Sequence, residues 1–340
     1  VKRGNPVHIC TSRGCRGACY FCSVAAFNRG NAQKWRGRSL ESIIKEIKRL
    51  HDDFGVSHFK IVDDSFIESP RDERWAEKFA EALVRCNLKI RFRTQVRADR
   101  LTAPLVENLK NSGWFATSLG VENFSDAALA RMGKRANVGD NVRALDLLYQ
   151  YGVYVQVGMI LFDNFTTIDE IERNYSMLLL FRWIVTKGIF TEMFAAEGSS
   201  FTQSLKQQGL LLGGAFGQNY HYEVVDPHAL RVYKALKQWQ KSHSVIYDSV
   251  VDPIAAPKIM SDIGYKRIHN LCMGIYDRDL CFLRKLLDQV KYNSPDGDMD
   301  MVSSEIHLAG DFFRQVDCET REIYLSEGLV YDGESNPFLL

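Results

Sequence analysis

Cysteine and proline are both scarce, with 8 of each among 340 residues. So few cysteines exclude a disulfide-stapled scaffold, and three of them crowd into one short loop, where a reducing compartment favours metal or cluster chemistry. So few prolines, beside 24 glycines, exclude collagen-like and proline-rich disordered chains. Also missing is any run of about twenty apolar residues, the length a helix needs to cross a bilayer. The longest candidates, around Met177 to Phe181 and Val153 to Phe162, are short and interrupted. Neither charge dominates: 43 Lys and Arg against 42 Asp and Glu leave +1, which argues against the broad basic footprint of a partner for bulk nucleic acid or an anionic membrane surface. The opening Val1-Lys2-Arg3-Gly4-Asn5-Pro6 has no apolar signal region. The expectation is a cytoplasmic protein with a small-molecule or peptide substrate and neither nucleic acid nor membrane as partner. What is present is a composition 46% hydrophobic and 25% charged, enough to bury a core.

Six short β-branched or aromatic runs each precede a helix-like segment, the alternation of parallel βα units. Strands are expected at Pro6 to Thr11, His58 to Asp63, Ile90 to Arg97, Trp114 to Val121, Val153 to Leu161 and Ile189 to Ala195. Leu40, Ile43, Ile44, Ile47 and Leu50 fall on one helical face, with Ser39 as N-cap and Gly55 just past the end. Later helices start at Thr102-Ala103-Pro104, at Ser125-Asp126 and at the capping box Thr167-Ile168-Asp169-Glu170. Six units are fewer than the eight of a closed barrel, which takes about 250 residues. The predicted fold class is therefore α/β, a partial (β/α)6 TIM-like barrel with a helical C-terminal extension. Residues 1–212 are assigned to the barrel, 213–290 to a helical region behind a Gly213-Gly214-Ala215-Phe216-Gly217 linker, and 291–340 to an acidic tail packing on or near the barrel. From Lys291 onward about eleven acidic residues face three basic ones, so the tail is near −8 and the remainder near +9.

Cys15-Arg16-Gly17-Ala18-Cys19-Tyr20-Phe21-Cys22 follows the first strand directly. Its spacing brings three thiols onto one loop wrapped around a common centre. Thiolates hold soft iron–sulfur clusters or zinc. A closed structural zinc site wants four protein ligands, and the fourth would be sought at His8 or Cys10 on the strand, or far off in sequence. A cluster with one open iron suits three cysteines better, because one coordination position is left for a ligand. Outside enzymology, the rival is a zinc-stabilised binding protein.

The C-x3-C-x2-C spacing, with an aromatic before the last cysteine, resembles the signature of the radical S-adenosylmethionine (SAM) superfamily. The resemblance continues in order along the chain. Ile9-Cys10-Thr11-Ser12-Arg13-Gly14-Cys15 and Trp35-Arg36-Gly37-Arg38-Ser39 resemble the cluster-loop flanks of the branch often fused to cobalamin domains. Phe59-Lys60-Ile61-Val62-Asp63-Asp64-Ser65-Phe66 resembles that branch's second strand, and Arg97-Ala98-Asp99 ends a third. Gly120-Val121-Glu122-Asn123-Phe124-Ser125, with Leu129 and Lys134 after it, resembles the fourth-strand motif; the likeness covers residues 6 to about 210. It implies that Cys15, Cys19 and Cys22 hold a 4Fe-4S cluster whose open iron takes the amino and carboxylate groups of SAM. One electron, from a donor such as flavodoxin or ferredoxin, then yields a 5′-deoxyadenosyl radical that abstracts hydrogen from substrate. The same resemblance makes Tyr20, Phe21, Asp63, Asp64, Ser65, Glu122, Lys134, Gly158 and Ile160 the contacts to the nucleoside, Glu122 meeting the ribose and Lys134 the carboxylate.

The sequence departs from the family pattern at the top of the barrel. Phe162-Asp163-Asn164-Phe165 replaces a Gly-x-Pro-Gly-Glu turn, Glu197-Gly198-Ser199 replaces Pro-Gly-Thr, and Asn123-Phe124 replaces Ser-Gly. Substrate lies at that end of a barrel, so these changes are read as substrate tailoring. About a dozen residues precede the cluster loop, so an upstream cobalamin-binding domain is not expected in this chain; a cobalamin-dependent methylase is the reading if the sequence is part of a longer one. Asp226-Pro227-His228 echoes a cobalamin-ligand motif without its following glycine and is read as coincidence. No second run of cysteines suggests auxiliary clusters.

Arg91, Arg93, Gln95 and Arg97 share one face of the third strand. Lining an open barrel they would bind carboxylate, phosphate or hydroxyls; at an edge they would be solvated. Arg97, Glu192 and Glu197 are the candidate substrate-binding residues. Cys272, Cys281 and Cys318 are candidate hydrogen-atom donors, against the reading that lone cysteines are small buried hydrophobes. The expected function is redox-neutral remodelling, such as dehydration or decarboxylation, of a natural-product intermediate, a sugar or nucleoside favoured. A peptide epimerase using one of those thiols is the alternative.

Overall fold

The computed structural model of the chain describes residues 5–28, 30, 33–213, 220–255, 259–292 and 295–331. Five strands, β1 (Val7–Ile9), β2 (His58–Ile61), β3 (Arg91–Arg97), β4 (Trp114–Glu122) and β5 (Tyr154–Met159), pair in chain order, all parallel. The architecture is mixed α/β around this sheet. The sixth expected strand, Ile189 to Ala195, does not form as one. The chain there makes two isolated parallel bridges, Gln156 with Val185 and Phe162 with Glu192. Regular pairing stops because Gly188, with φ of 82°, bends the backbone against a helix: a Cβ there would lie 1.8 Å from Gln240 Oε1. Beyond it the Thr191 carbonyl accepts from both Leu161 and Phe162 N–H at 3.0 Å, which interrupts the even ladder of a parallel pair.

Helices α1 (Leu40–Phe54), α2 (Glu73–Arg85), α3 (Ala103–Asn111), α4 (Val138–Gln150) and α5 (Ile168–Leu180) follow the strands. Local chemistry sets their ends. Ser39 Oγ accepts from Ser42 N–H at 3.2 Å and Gly55 closes α1 with φ of 65°. The Thr167 and Glu170 side chains form a reciprocal capping box on α5. Ile43, Ile44 and Ile47 are the buried stripe of α1 and join Phe59 and Ile61 in the core, each side chain contributing roughly 1.5–3 kcal/mol by burial.

Of the glycine linker expected at 213–217, residues 214–217 lie outside the described residues. Three long helices follow, α6 (Pro227–Ala255), α7 (Asp262–Tyr292) and α8 (Asp298–Ser326); the acidic stretch is thus largely helical and packs on α6 and α7. Their core stacks Trp239 on Phe282 and His243 on Phe313. It is continuous with the core of the barrel. Helix α6 lies along the irregular sixth segment: Tyr233 packs edge-on to Phe162 and Phe190, Gln240 donates to the Lys187 carbonyl at 2.7 Å, and Lys187 pairs with Asp248 at 2.6 Å. Among the described residues no helix is long and apolar enough to cross a membrane.

Inside the bundle, Trp239 Nε1 and the Tyr247 hydroxyl donate to Asp279 Oδ1 at 2.8 and 2.6 Å, while its Oδ2 has no partner. Burial pushes this carboxyl up to about 7, the two hydrogen bonds opposing the rise. A folded-state value above the unfolded one means that the native protein holds the proton more tightly, so stability falls as pH rises from about 4 to about 7. Asp279→Asn keeps the acceptor oxygen and removes the ionisation. Thermal melts of the variant should be flatter across that window and gain on the order of 4 kcal/mol at pH 8; a pH profile identical to wild type would assign the dependence to another group.

Candidate active site at the top of the barrel

The approach to the cysteine loop is set by a buried acid. Asp63, fully buried just beyond β2, accepts from Thr11 N–H (2.6 Å), the Thr11 hydroxyl (2.5 Å) and the Ser12 hydroxyl (2.6 Å), and Arg71 pairs with it at 3.3 Å. Arg71 also donates to the carbonyls of Thr11 (2.7 Å) and Phe66 (2.9 Å), with Trp35, Phe66 and Trp75 rings around its guanidinium at 4.5–5.2 Å. These bonds turn the chain out of β1 into a two-stranded ribbon, Ser12–Gly14 against Trp35–Gly37. Asp64 finishes the turn by accepting from Gly14 N–H at 2.8 Å. Asp63 was expected to contact the nucleoside; its oxygens are instead committed to strand, ribbon and Arg71. Ser65 is likewise buried, its carbonyl held by Trp35 Nε1 at 3.1 Å.

Cys15, Cys19 and Cys22 follow, all partly buried. Tyr20 N–H donates to the Met132 carbonyl (2.8 Å) and Phe201 N–H to the Tyr20 carbonyl (3.0 Å), laying the loop across the strand ends. Phe21 joins a second apolar cluster with Met132, Ile160 and Met193. At position 17 a Cβ would sit 2.5 Å from Arg97 Nη1, so glycine lets that guanidinium approach the loop. Burial pushes the Cys15 thiol up to about 11; the Gly17 N–H and Arg97 oppose this and Glu68, 3.4 Å from Cys15 Sγ, adds to it. Burial also raises Cys19, against Lys134 and Arg97. Iron binds the deprotonated sulfur, so two cations beside the loop offset the charge that ligation creates. Three soft donors on one loop with cations at hand fit an iron–sulfur cluster. Among the described residues no three Cys, His, Asp or Glu side chains converge on a single ion, the three loop cysteines included. His8 stands opposite Lys60 and the Cys10 thiol donates to the Ser12 carbonyl at 3.1 Å.

Glu122 ends β4 in the left-handed region, φ 64°, which a residue with a Cβ adopts only at a cost. Its carboxylate accepts from Lys134 Nζ at 2.7 Å, and Lys134 also donates to the Gly120 carbonyl at 2.5 Å. Gly120 and Gly158 face each other in register beneath this pair; a Cβ on Gly120 would lie 2.8 Å from Glu122 Oε1. A polar network holds the strained turn. Asn123 donates to the Ile160 carbonyl at 2.9 Å and accepts from Ser125 N–H and Asn174, while Asn174 accepts from Phe124 N–H and Asn141 bonds the Val121 and Asn123 carbonyls. Arg131 clamps Asp163 at 3.0 Å and Glu170 at 2.8 Å. Asn123 and Asp163 are 2% and 1% exposed, so those two departures from the family pattern are built into the scaffold.

The structure also relocates the expected substrate residues. Arg97 forks onto Asp99, both contacts 2.9 Å, and faces the cysteines, so it belongs to the loop. Glu192 accepts from the Tyr233 hydroxyl at 2.5 Å and pairs with Lys237 at 3.6 Å, which ties it to α6. Glu197 is exposed and paired with Lys206 at 3.3 Å. The candidate hydrogen donors all lie in the helical bundle: Cys272 is enclosed, its thiol on the Val250 carbonyl at 3.6 Å, and Cys281 and Cys318 are on exposed faces of α7 and α8. Sequence reasoning missed Glu68, Arg71 and Arg100, the last 3.4 Å from Glu68. The available signal was a cluster of four charges, Asp63, Asp64, Glu68 and Arg71, in nine residues directly after an apolar strand.

A sequence model described as the Radical SAM superfamily matches residues 9–178, half of the chain. The chain is 30% identical over 146 residues to the anaerobic magnesium-protoporphyrin IX monomethyl ester cyclase of Synechocystis, covering 42% of this chain and 28% of that protein. It is 29% identical over 189 residues to 4′-phospho-dehydrooxetanocin synthase of Priestia megaterium, covering 49% and 25%. Among solved structures it resembles the cobalamin-dependent SAM radical enzyme OxsB with aqua-cobalamin and SAM bound, at a TM-score of 0.66 and 18% identity over 94% of this chain and 54% of that one. It also resembles the radical SAM methyltransferase TsrM from Kitasatospora setae, with a TM-score of 0.54 and 14% identity over 66% and 44%. At those identities the shared property is the fold. The matches span about half of the OxsB chain and a quarter to a third of the curated relatives.

The anchoring role of Asp63 gives a direct test. Asp63→Asn leaves Arg71 buried without its counter-charge and should lower stability in urea by about 3 kcal/mol. Wild-type stability combined with a selective loss of nucleoside binding would restore Asp63 to the binding site.

Proposed function

The chain belongs to the radical SAM superfamily, and from that membership we propose that Cys15, Cys19 and Cys22 hold its 4Fe-4S cluster while Glu122, Lys134, Tyr20, Phe21, Asp64, Gly158 and Ile160 seat S-adenosylmethionine. It is an enzyme of a family that uses both cofactors. When bound, they supply a 5′-deoxyadenosyl radical able to take a hydrogen atom from an unactivated carbon. The chain's own residues orient and shield. Glu122 presents a carboxylate as acceptor for ribose hydroxyls, and Lys134 holds it in place and offsets its charge. Phe21, Ile160 and Met193 form an apolar wall that excludes water from the loop. Gly158, exposed on the inner face, leaves room for a flat ring.

The observation that carries this reading is the strained Glu122 over two glycines, held beside the cysteine loop by a network buried for that purpose. The substrate we propose is a small polar molecule of the sugar or nucleoside class, remodelled without net oxidation in natural-product biosynthesis. It is supported by the polar inner face of the strands, where Gln95 is exposed and Ser118 and Gln156 are partly buried. A second reading, cobalamin-dependent chemistry within a longer protein, is favoured by the likeness to OxsB and TsrM. Asp226 gives it no support inside this chain, since it caps α6 by accepting from His228 and Ala229 N–H at 2.8 and 2.9 Å. The epimerase reading loses its basis with the thiols in the bundle.

Eight free cysteines suit a reducing cytoplasm. An acidic one-electron carrier such as flavodoxin or ferredoxin is the proposed reductant. Exposed Arg13 and Arg36, opposite each other on the ribbon one residue from the cysteine loop, border a cavity of about 380 Å³ with Arg38 and favour such a partner.

Anaerobic reconstitution should give about four irons per chain, and Cys15→Ala, Cys19→Ala and Cys22→Ala should each lose them. Deuterated sugars or nucleosides should pass label to 5′-deoxyadenosine, unaffected by alanine at Cys272, Cys281 or Cys318. Zinc without iron in a colourless protein would defeat the proposal.

A further inference from the structure

Along the strands, the inner barrel face changes character from mouth to floor. Nearest the mouth stand Arg97, Gly120 and Gly158, in register across β3, β4 and β5. One rung down are Gln95, Ser118 and Gln156, also in register. Below them Lys60 of β2 stands opposite Arg93 of β3. Arg93 is 3% exposed and donates through Nη2 to Gln156 Oε1 at 2.8 Å and to the Ser118 hydroxyl; its Nε is buried with no acceptor.

Among the described residues neither Lys60 nor Arg93 has a carboxylate within ion-pair distance. Buried arginine is rarely left without a charge partner, because desolvation of the cation is otherwise uncompensated. The groups that face this floor do not remove the deficit. Asp252 of α6 acts on both cations from beyond ion-pair reach, while Lys187 is already matched by Asp248 at 2.6 Å. Burial lowers both cations in consequence, Arg93 to about 10.

We infer that Lys60 and Arg93, with Ser118 and Gln156, form an anion seat on the barrel floor that takes a terminal phosphate or carboxylate of the substrate. The planar guanidinium and the ammonium supply charge, and the hydroxyl and amide complete the hydrogen bonding. Above the seat, Gly120 and Gly158 carry no side chains and the Glu122 carboxylate and Lys134 ammonium lie over them, so the body of the substrate would run beside that pair toward the mouth. Arg93 lies four residues below Arg97 on β3, about 13 Å at roughly 3.3 Å per residue. A sugar phosphate or nucleoside phosphate spans that distance, with its charge at the floor and a C–H bond near the cysteine loop. The inference rests on the radical SAM reading for its orientation, and on the two uncompensated cations for its chemistry.

Calorimetric titration of the reconstituted protein with ribose 5-phosphate, gluconate and ribose tests it. A charged sugar should bind at least tenfold more tightly than ribose, and the tighter of the two identifies the headgroup. Arg93→Met and Lys60→Met should each weaken that binding by about tenfold or more, while iron content and SAM binding stay at wild-type values. Lys60→Met, at a half-buried side chain, carries the test if Arg93→Met does not fold. Equal binding of all three sugars, no binding of any, or variants that bind as wild type does would overturn the seat. Iron loading measured on the same samples reports separately on the radical assignment: an iron-free protein that still prefers the charged sugar keeps the seat and loses the radical chemistry.

Discussion

A single buried carboxylate decides where the chemistry can happen. Asp63 gathers the backbone and side chain of Thr11, the Ser12 hydroxyl and the Arg71 guanidinium at one point, and the direction of the cysteine loop follows from that knot. A buried ion pair is weak evidence for net stability, since desolvation offsets much of its attraction. Its value here is geometric. Strand β1 is only three residues long, too short to fix by its own ladder the exit of the cysteine loop. The aromatic cage around Arg71 makes the arrangement rigid without adding charge.

A second cost is met at the other side of the mouth. Glu122 occupies a backbone region that most residues avoid, and a chain of three asparagines, Asn123, Asn141 and Asn174, holds it there with every bond internal to the fold. Strain at a site persists only when its surroundings over-determine it. Cations are distributed in keeping with this: Arg97 and Lys134 stand by the sulfurs, whereas Lys60 and Arg93 sit at the far end of the same face. The inner face is thus polar at both ends, unlike the apolar lumen of a closed barrel.

Much of this was legible in the chain. Cysteine spacing is a local, covalently enforced pattern, and so are caps such as Ser39 and Thr167, whose partners lie three residues away. Strand order followed from the alternation of elements. What failed depended on contacts distant in sequence. The irregular sixth segment is dictated by Gly188 meeting Gln240, about fifty residues later. Asp63 and Asn123 look in sequence like ligand-facing polar residues because the motif gives type and spacing, not the direction of the side chain. The opposite error befell Cys272, Cys281 and Cys318: reactive residue types drew a functional reading although the helical period around them places one in a core and two in solvent.

Helix α6 has a consequence for how such a protein diversifies. The last stave of the barrel is bolted to that helix through Tyr233, Gln240 and Asp248, and its pairing with the neighbouring strand is irregular, two isolated bridges in place of a continuous ladder. The position of that stave is therefore tied to how the C-terminal bundle packs, through contacts such as Trp239 on Phe282. Drift in residues remote from the cysteine loop can shift that last stave while the five paired strands stay untouched.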